Sequence, residues 1–146
     1  MAVKAKQLTK VQYEALAEFR YGLRQFLRFS EAAAQAAGLT PQQHQALLAI
    51  KGFPGRDQVT IGELAERLQI AHHSAVGLAD RLVAERYVRR MPGQKDRRRV
   101  YLALTRRGES VLQKLSAAHS EQLGQLGPQI SQLLATLQRE AAMENG

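Results

Sequence analysis

The sequence contains no cysteine. That excludes structural disulfides, thiol nucleophiles, Cys-ligated zinc and cysteine-based redox sensing, and it fits a reducing compartment. No apolar run approaches the roughly 18–20 residues of a membrane span. The basic stretch at residues 1–10 has no apolar segment behind it, so no signal peptide is expected. The expectation is a cytoplasmic protein with no membrane partner. Enzyme signatures are missing too: there is no Gly-x-Ser-x-Gly elbow and no phosphate-binding glycine loop. The four histidines, His44, His72, His73 and His119, show no i, i+4 pair, and adjacent residues on a helix point apart. No metal site, no cofactor and no enzymatic activity are expected.

What is present is a chain of ordinary domain size. Its 146 residues are 45% hydrophobic, enough to bury a core without metals or disulfides. Its net charge is +8, and that charge is concentrated. Ten basic residues lie between positions 80 and 107: Arg81, Arg86, Arg89, Arg90, Lys95, Arg97, Arg98, Arg99, Arg106 and Arg107. Only Asp80, Glu85 and Asp96 oppose them, leaving +7 in this stretch. A block of this kind on a structured segment reads as an electrostatic footprint for phosphates.

The hydrophobic period is helical from about Leu8 to Ala37, where Val11, Leu16, Phe19, Leu23, Phe26 and Leu27 recur at three- and four-residue spacing. Gly38 supplies the stop. Thr40-Pro41-Gln42-Gln43 opens a second helix as a capping box with proline at the first helical position. Thr60-Ile61-Gly62-Glu63 opens a third, short helix in the same way. After a break at Gln69 to Ala71, a fourth helix carries Ala75, Leu78, Ala79 and Leu82. Two short helices with a tight connection form a helix-turn-helix. The period then changes to two at Tyr87–Met91 and again at Arg99–Leu104, around a Pro92-Gly93-Gln94-Lys95 turn, which predicts a β-hairpin with a basic tip. Thr105 caps another long helix. Gly124 and Gly127-Pro128 predict a break, followed by a last amphipathic helix with Ile130, Leu133, Leu134 and Leu137. The tail from Met143 is expected to fray.

Three stretches in order resemble the MarR family of bacterial regulators. They are Ile61-Gly-Glu-Leu-Ala-Glu-Arg-Leu68, then Asp80-Arg81-Leu82-Val83, then Asp96-Arg97-Arg98 followed by Val100-Tyr-Leu-Ala-Leu-Thr105 and Gly108. The last is similar to that family's wing signature. The resemblance runs from about Leu8 to Leu137 and implies a mainly α fold with a small β-hairpin wing, a winged helix-turn-helix. It also implies a DNA-binding role for Asp96 and Arg98.

The residues themselves support that role. A recognition helix presents its N-terminal residues to base edges in the major groove, here His72, His73, Ser74, Val76 and Gly77. Gly77 departs from the family's usual longer residue, so it allows close approach either of DNA or of a neighbouring helix. Arg98 suits the narrow minor groove, oriented by Asp96 or tied to it in a purely structural ion pair. Lys95, Arg97 and Arg99 suit phosphates.

The expected architecture is one domain over residues 1–146. Residues 8–38 and 106–142 form dimerisation helices, and residues 40–105 the winged helix-turn-helix lobe. The expected protein is a sequence-specific transcriptional regulator, a repressor, binding double-stranded DNA as a homodimer on a pseudo-palindrome. The alternative is a nonspecific or architectural nucleic-acid binder. The family resemblance further implies a small, often aromatic effector, for which Tyr13, Arg20, Tyr21 and His44 are candidates. Aromatics at helical spacing also suit a core or a dimer interface.

Overall fold

The computed structural model describes residues 7–144. The expectations for the first six residues and the last two lie outside the described part. In chain order the elements are α1 (Lys10–Ala36), α2 (Pro41–Lys51), β1 (Gln58–Val59), α3 (Ile61–Leu68), α4 (His72–Ala84), β2 (Val88–Pro92), β3 (Val100–Leu104) and α5 (Arg106–Glu144).

Threonine starts four of the five helices. Thr9 and Gln12, Thr40 and Gln43, and Thr60 and Glu63 each form a reciprocal box between side chain and backbone. Thr105 Oγ1 accepts the Gly108 N–H at 3.1 Å. These bonds satisfy donors that a helix start would otherwise leave unmet. Three helices also end alike. The Leu39 N–H donates to Ala34 O (2.9 Å), the Ile70 N–H to Ala65 O (3.0 Å) and the Tyr87 N–H to Leu82 O (2.9 Å). The preceding residue is left-handed in each case: Gly38 at φ +84°, Gln69 at 54° and Arg86 at 67°. This is the Schellman arrangement, which returns an apolar residue to the core; Leu39 and Tyr87 are buried. Only Gly38 adopts that backbone free of a Cβ penalty.

The chain divides into two compact units. One spans Glu31–Ala118 and holds the main core. Leu47, Ile50, Leu64, Leu78, Leu82, Leu102, Val59 and Val88 are its largest fully buried side chains, each worth about 1.5–3 kcal/mol of apolar burial. Its sheet is antiparallel in the order β1-β3-β2, with Val88 opposite Leu104 and Pro92 opposite Val100. The expected two-stranded hairpin is therefore three-stranded. Val59 pairs with Leu102 in a strand of two residues, too short to show a period.

The other unit holds the chain up to Ser30 and from His119 onward. There His119 Nε2 lies 2.8 Å from the buried Ser30 hydroxyl, with Phe26 and Phe29 packed edge-on to its ring. Much of this unit's apolar surface is uncovered: Val11, Tyr13, Leu16, Tyr21, Leu27, Leu123 and Leu134 are all exposed. Of the apolar period read in the first helix, Val11, Leu16 and Leu27 stay exposed while Phe19, Leu23 and Phe26 are half-buried.

The break expected at Gly124 to Pro128 does not occur, and α5 runs unbroken for 39 residues with Pro128 inside it. Proline in a helix clashes with the carbonyl four residues back and restricts the residue before it through that residue's Cβ. Those two positions are Gly124 and Gly127. Neither is demanded by packing, since an added Cβ would meet nothing within 4 Å. Gly127 lacks the Cβ that Pro128 would crowd.

Candidate nucleic-acid interface

The Glu31–Ala118 unit carries both candidate reading elements. Helix α4 buries Ala75, Leu78, Ala79 and Leu82, a spacing of three and four that leaves the other face free. On that face His72, His73 and Ser74 are exposed, and Val76 is 38% exposed. The helix starts at Ala71 without a side-chain cap and has no acid in its first turn. Its first N–H groups and the positive end of its dipole therefore have no side chain set against them.

Gly77 is half-buried, and a Cβ there would meet nothing within 4 Å. Close approach of a neighbouring helix within the chain is thereby eliminated as its reason. Gly77 instead leaves a gap on the surface of α4.

The wing loop between β2 and β3 is closed by two backbone bonds, Gly93 N–H to Arg99 O at 2.8 Å and Arg99 N–H to Asp96 O at 3.1 Å. A Cβ at Gly93 would collide with the Asp96 carbonyl oxygen, so only glycine fits under this loop. Asp96 Oδ1 accepts the Arg98 N–H at 3.0 Å and its Nε–H at 3.3 Å. The Arg98 side chain is 94% exposed. Lys95, Arg97 and Arg99 are exposed as well and pair with no acid among the described residues.

The basic block does not act as one surface. Arg90 pairs with Asp80, tying the wing strand to the exposed side of α4. Arg107 donates to Tyr87 Oη at 3.1 Å and stacks over that ring at 4.5 Å. These two arginines have partners within the chain, which their charge in the sequence does not reveal. Gly108 serves the fold: a Cβ there would collide with the Tyr87 carbonyl oxygen. Sequence reasoning also missed Arg56, which pairs with Glu63 and stacks on Phe53. Burial pushes the Glu63 carboxyl up, but the Thr60 N–H and hydroxyl and the Arg56 guanidinium outweigh it and hold the carboxyl below its usual range. Elsewhere in the unit, the Glu109 carboxylate raises the Lys51 ammonium above its ordinary value.

The four effector candidates fall in both units. Tyr13 and Arg20 are exposed on α1. Tyr21 lines a 440 Å³ groove with Gln25, Leu126, Ile130 and Leu133. His44 is buried in the other unit. Among the described residues no cluster of three or more His, Asp or Glu side chains has the geometry to hold a metal. No helix there is long and apolar enough to cross a membrane.

Residues 37–99 match the family model described as MarR family, a span that lies wholly within the Glu31–Ala118 unit. The transcriptional activatory protein BadR of Rhodopseudomonas palustris is 30% identical over 97 residues. That match covers 63% of this chain and 55% of BadR, so the chain spans about half the length of this relative. The crystal structure of AbsC, a MarR family transcriptional regulator from Streptomyces coelicolor, superposes with a TM-score of 0.69 at 20% identity, covering 97% of this chain and 99% of AbsC. A mutant of MepR from S. aureus, bound to an oligodeoxyribonucleotide, superposes with a TM-score of 0.64 at 20% identity, covering 94% and 99%. The fold is that of these winged-helix proteins.

Proposed function

We propose that this chain, whose residues 37–99 match the MarR family model, is a MarR family member and a sequence-specific DNA-binding transcriptional regulator that acts as a homodimer. The observation that carries the reading is the pairing of two free surfaces in one compact unit. The uncapped, acid-free start of α4 lies with its polar face exposed. The wing beside it offers Lys95, Arg97, Arg98 and Arg99 to solvent. In the proposed complex His72, His73, Ser74 and Val76 meet base edges in the major groove, and Gly77 lets the backbone come close. Arg98 enters the minor groove, and the remaining wing cations hold phosphates. A MepR mutant of the same fold has been solved on an oligodeoxyribonucleotide, which supports this use of the fold.

The homodimer rests on the uncovered apolar side chains of α1 and α5. A second copy gives them a place to be buried, and a twofold dimer reads a pseudo-palindrome. Residues 8–38 and 106–142 are assigned to that contact and residues 40–105 to DNA.

Repression follows from the proposed geometry, since a bound dimer obstructs a promoter. The name of BadR favours a second reading, activation. A small aromatic ligand that binds one dimer form better than the other would release the operator by population shift.

Selection of duplexes from a random pool tests the reading. It should enrich two related half-sites about one helical turn apart. A pool that stays unenriched would leave only a nonspecific nucleic-acid binder.

A further inference from the structure

Arg56 sits in the turn between α2 and β1, well outside the basic block in sequence. Its guanidinium carbon lies 4.5 Å from the centre of the Phe53 ring and 5.5 Å from that of Tyr101. The same guanidinium pairs with Glu63, which closes the capping box of α3. Arg56 therefore joins the start of the helix-turn-helix to β3, the strand that carries Tyr101. An arginine can do this because its planar fork stacks and bonds at once.

The contact continues toward the wing tip. A Cβ on Gly93 would lie 3.0 Å from Tyr101 Cε2, so the tyrosine ring rests directly against the Gly93 backbone. Gly93 is bonded to Arg99, Arg99 to Asp96, and Asp96 to Arg98. Every link is a direct contact or a hydrogen bond.

We propose that Arg56 is a positioning residue for the wing: clamped between Glu63 and Tyr101, it fixes the loop that presents Arg98, and thereby sets the DNA affinity that Arg98 supplies. The proposal rests on the DNA-binding reading above. Arg56 itself is half-buried and neutralised by Glu63, so it is not a phosphate contact. A two-part clamp of stack and ion pair holds a loop better than either part, because each orders the side chain for the other.

The test is a double-mutant cycle on a duplex selected by the protein, read by fluorescence anisotropy at fixed salt, with hydrogen exchange on the free protein. Arg56→Gln should weaken binding about fivefold in the wild-type background. It should change binding less than twofold where Arg98 is already alanine. Amides in residues 93–99 should exchange faster in Arg56→Gln while those of α3 keep their rates. Arg56→Lys keeps the charge opposite Glu63 but loses the planar stack, so it should reproduce most of the loss and serves if the glutamine variant folds poorly. An equal loss in both backgrounds, or unchanged exchange in the loop, would overturn the positioning role. If Arg98→Ala alone leaves affinity unchanged, the DNA role of Arg98 fails, and the exchange rates then judge the positioning on their own.

Discussion

Asp96 Oδ1 holds Arg98 at two points, the backbone N–H at 3.0 Å and the side-chain Nε–H at 3.3 Å. The carboxylate thus aims the arginine while leaving its far guanidinium nitrogens to solvent. An exposed ion pair adds little stability, so the geometry matters more for presentation than for folding. Arg98→Ala should weaken binding to a selected duplex about tenfold with the sedimentation coefficient of the free protein unchanged. Asp96→Ala should cost less, about threefold, because it only frees a side chain that binding must then order. An Asp96→Ala loss larger than that of Arg98→Ala would contradict this division of roles.

Lys95 has no acid partner among the described residues and lies on the exposed wing loop. As a phosphate contact it reads no sequence. Lys95→Ala should weaken selected and unrelated duplexes by the same factor and lower the salt slope by about one unit. A selective loss on one duplex would assign Lys95 to base reading instead.

Two helical glycines should respond to alanine in opposite directions. Gly77 has open space around its missing Cβ, so Gly77→Ala should stabilise the protein by about 0.5–1 kcal/mol. Gly108 faces the Tyr87 carbonyl oxygen at collision distance, so Gly108→Ala should cost about 1–3 kcal/mol. Urea unfolding of the two variants reads both signs. If Gly77→Ala is more stable yet binds DNA less well, the gap on α4 is used by the partner.

Glu63 carries the clearest acid dependence in the Glu31–Ala118 unit. Its folded-state carboxyl lies below the ordinary value of 4.5, so it contributes stability above that pH. The contribution is lost as pH falls through the lowered folded-state value. Glu63→Gln keeps an acceptor for the Thr60 N–H but cannot ionise. At pH 7 the variant should be less stable by up to about 1 kcal/mol, and the gap should narrow as pH drops below the ordinary carboxylate value. A gap that holds constant to pH 3 would mean that Arg56 and Thr60 do not favour the charged form.

Local signals in the sequence carried most of the fold. Thr40 with Gln43 and Thr60 with Glu63 are readable because a capping box is confined to four residues. The basic hairpin is readable because its period changes from 3.6 to 2. What escaped depends on contacts distant in sequence. Gln58 and Val59 form a strand only because β3 lies beside them. Pro128 stays inside α5, although it and the glycines at 124 and 127 read locally as breakers. The candidate interface shows in the sequence as a charge block, but its internal partners do not. Arg90 and Arg107 look like their neighbours in sequence, and only folding brings them the partners Asp80 and Tyr87. Arg56 gave little local signal, since Tyr101 of β3 and Glu63 of α3 meet around it only in the fold.

The central claim is that α4 and the wing read sequence as well as charge. Equilibrium competition at physiological salt tests it most directly, with the protein bound to a labelled selected duplex and displaced by unlabelled selected or shuffled duplexes. The account predicts that the selected duplex competes at least about 10³-fold better than the shuffled one. Equal competition by both would contradict it and leave only the electrostatic footprint.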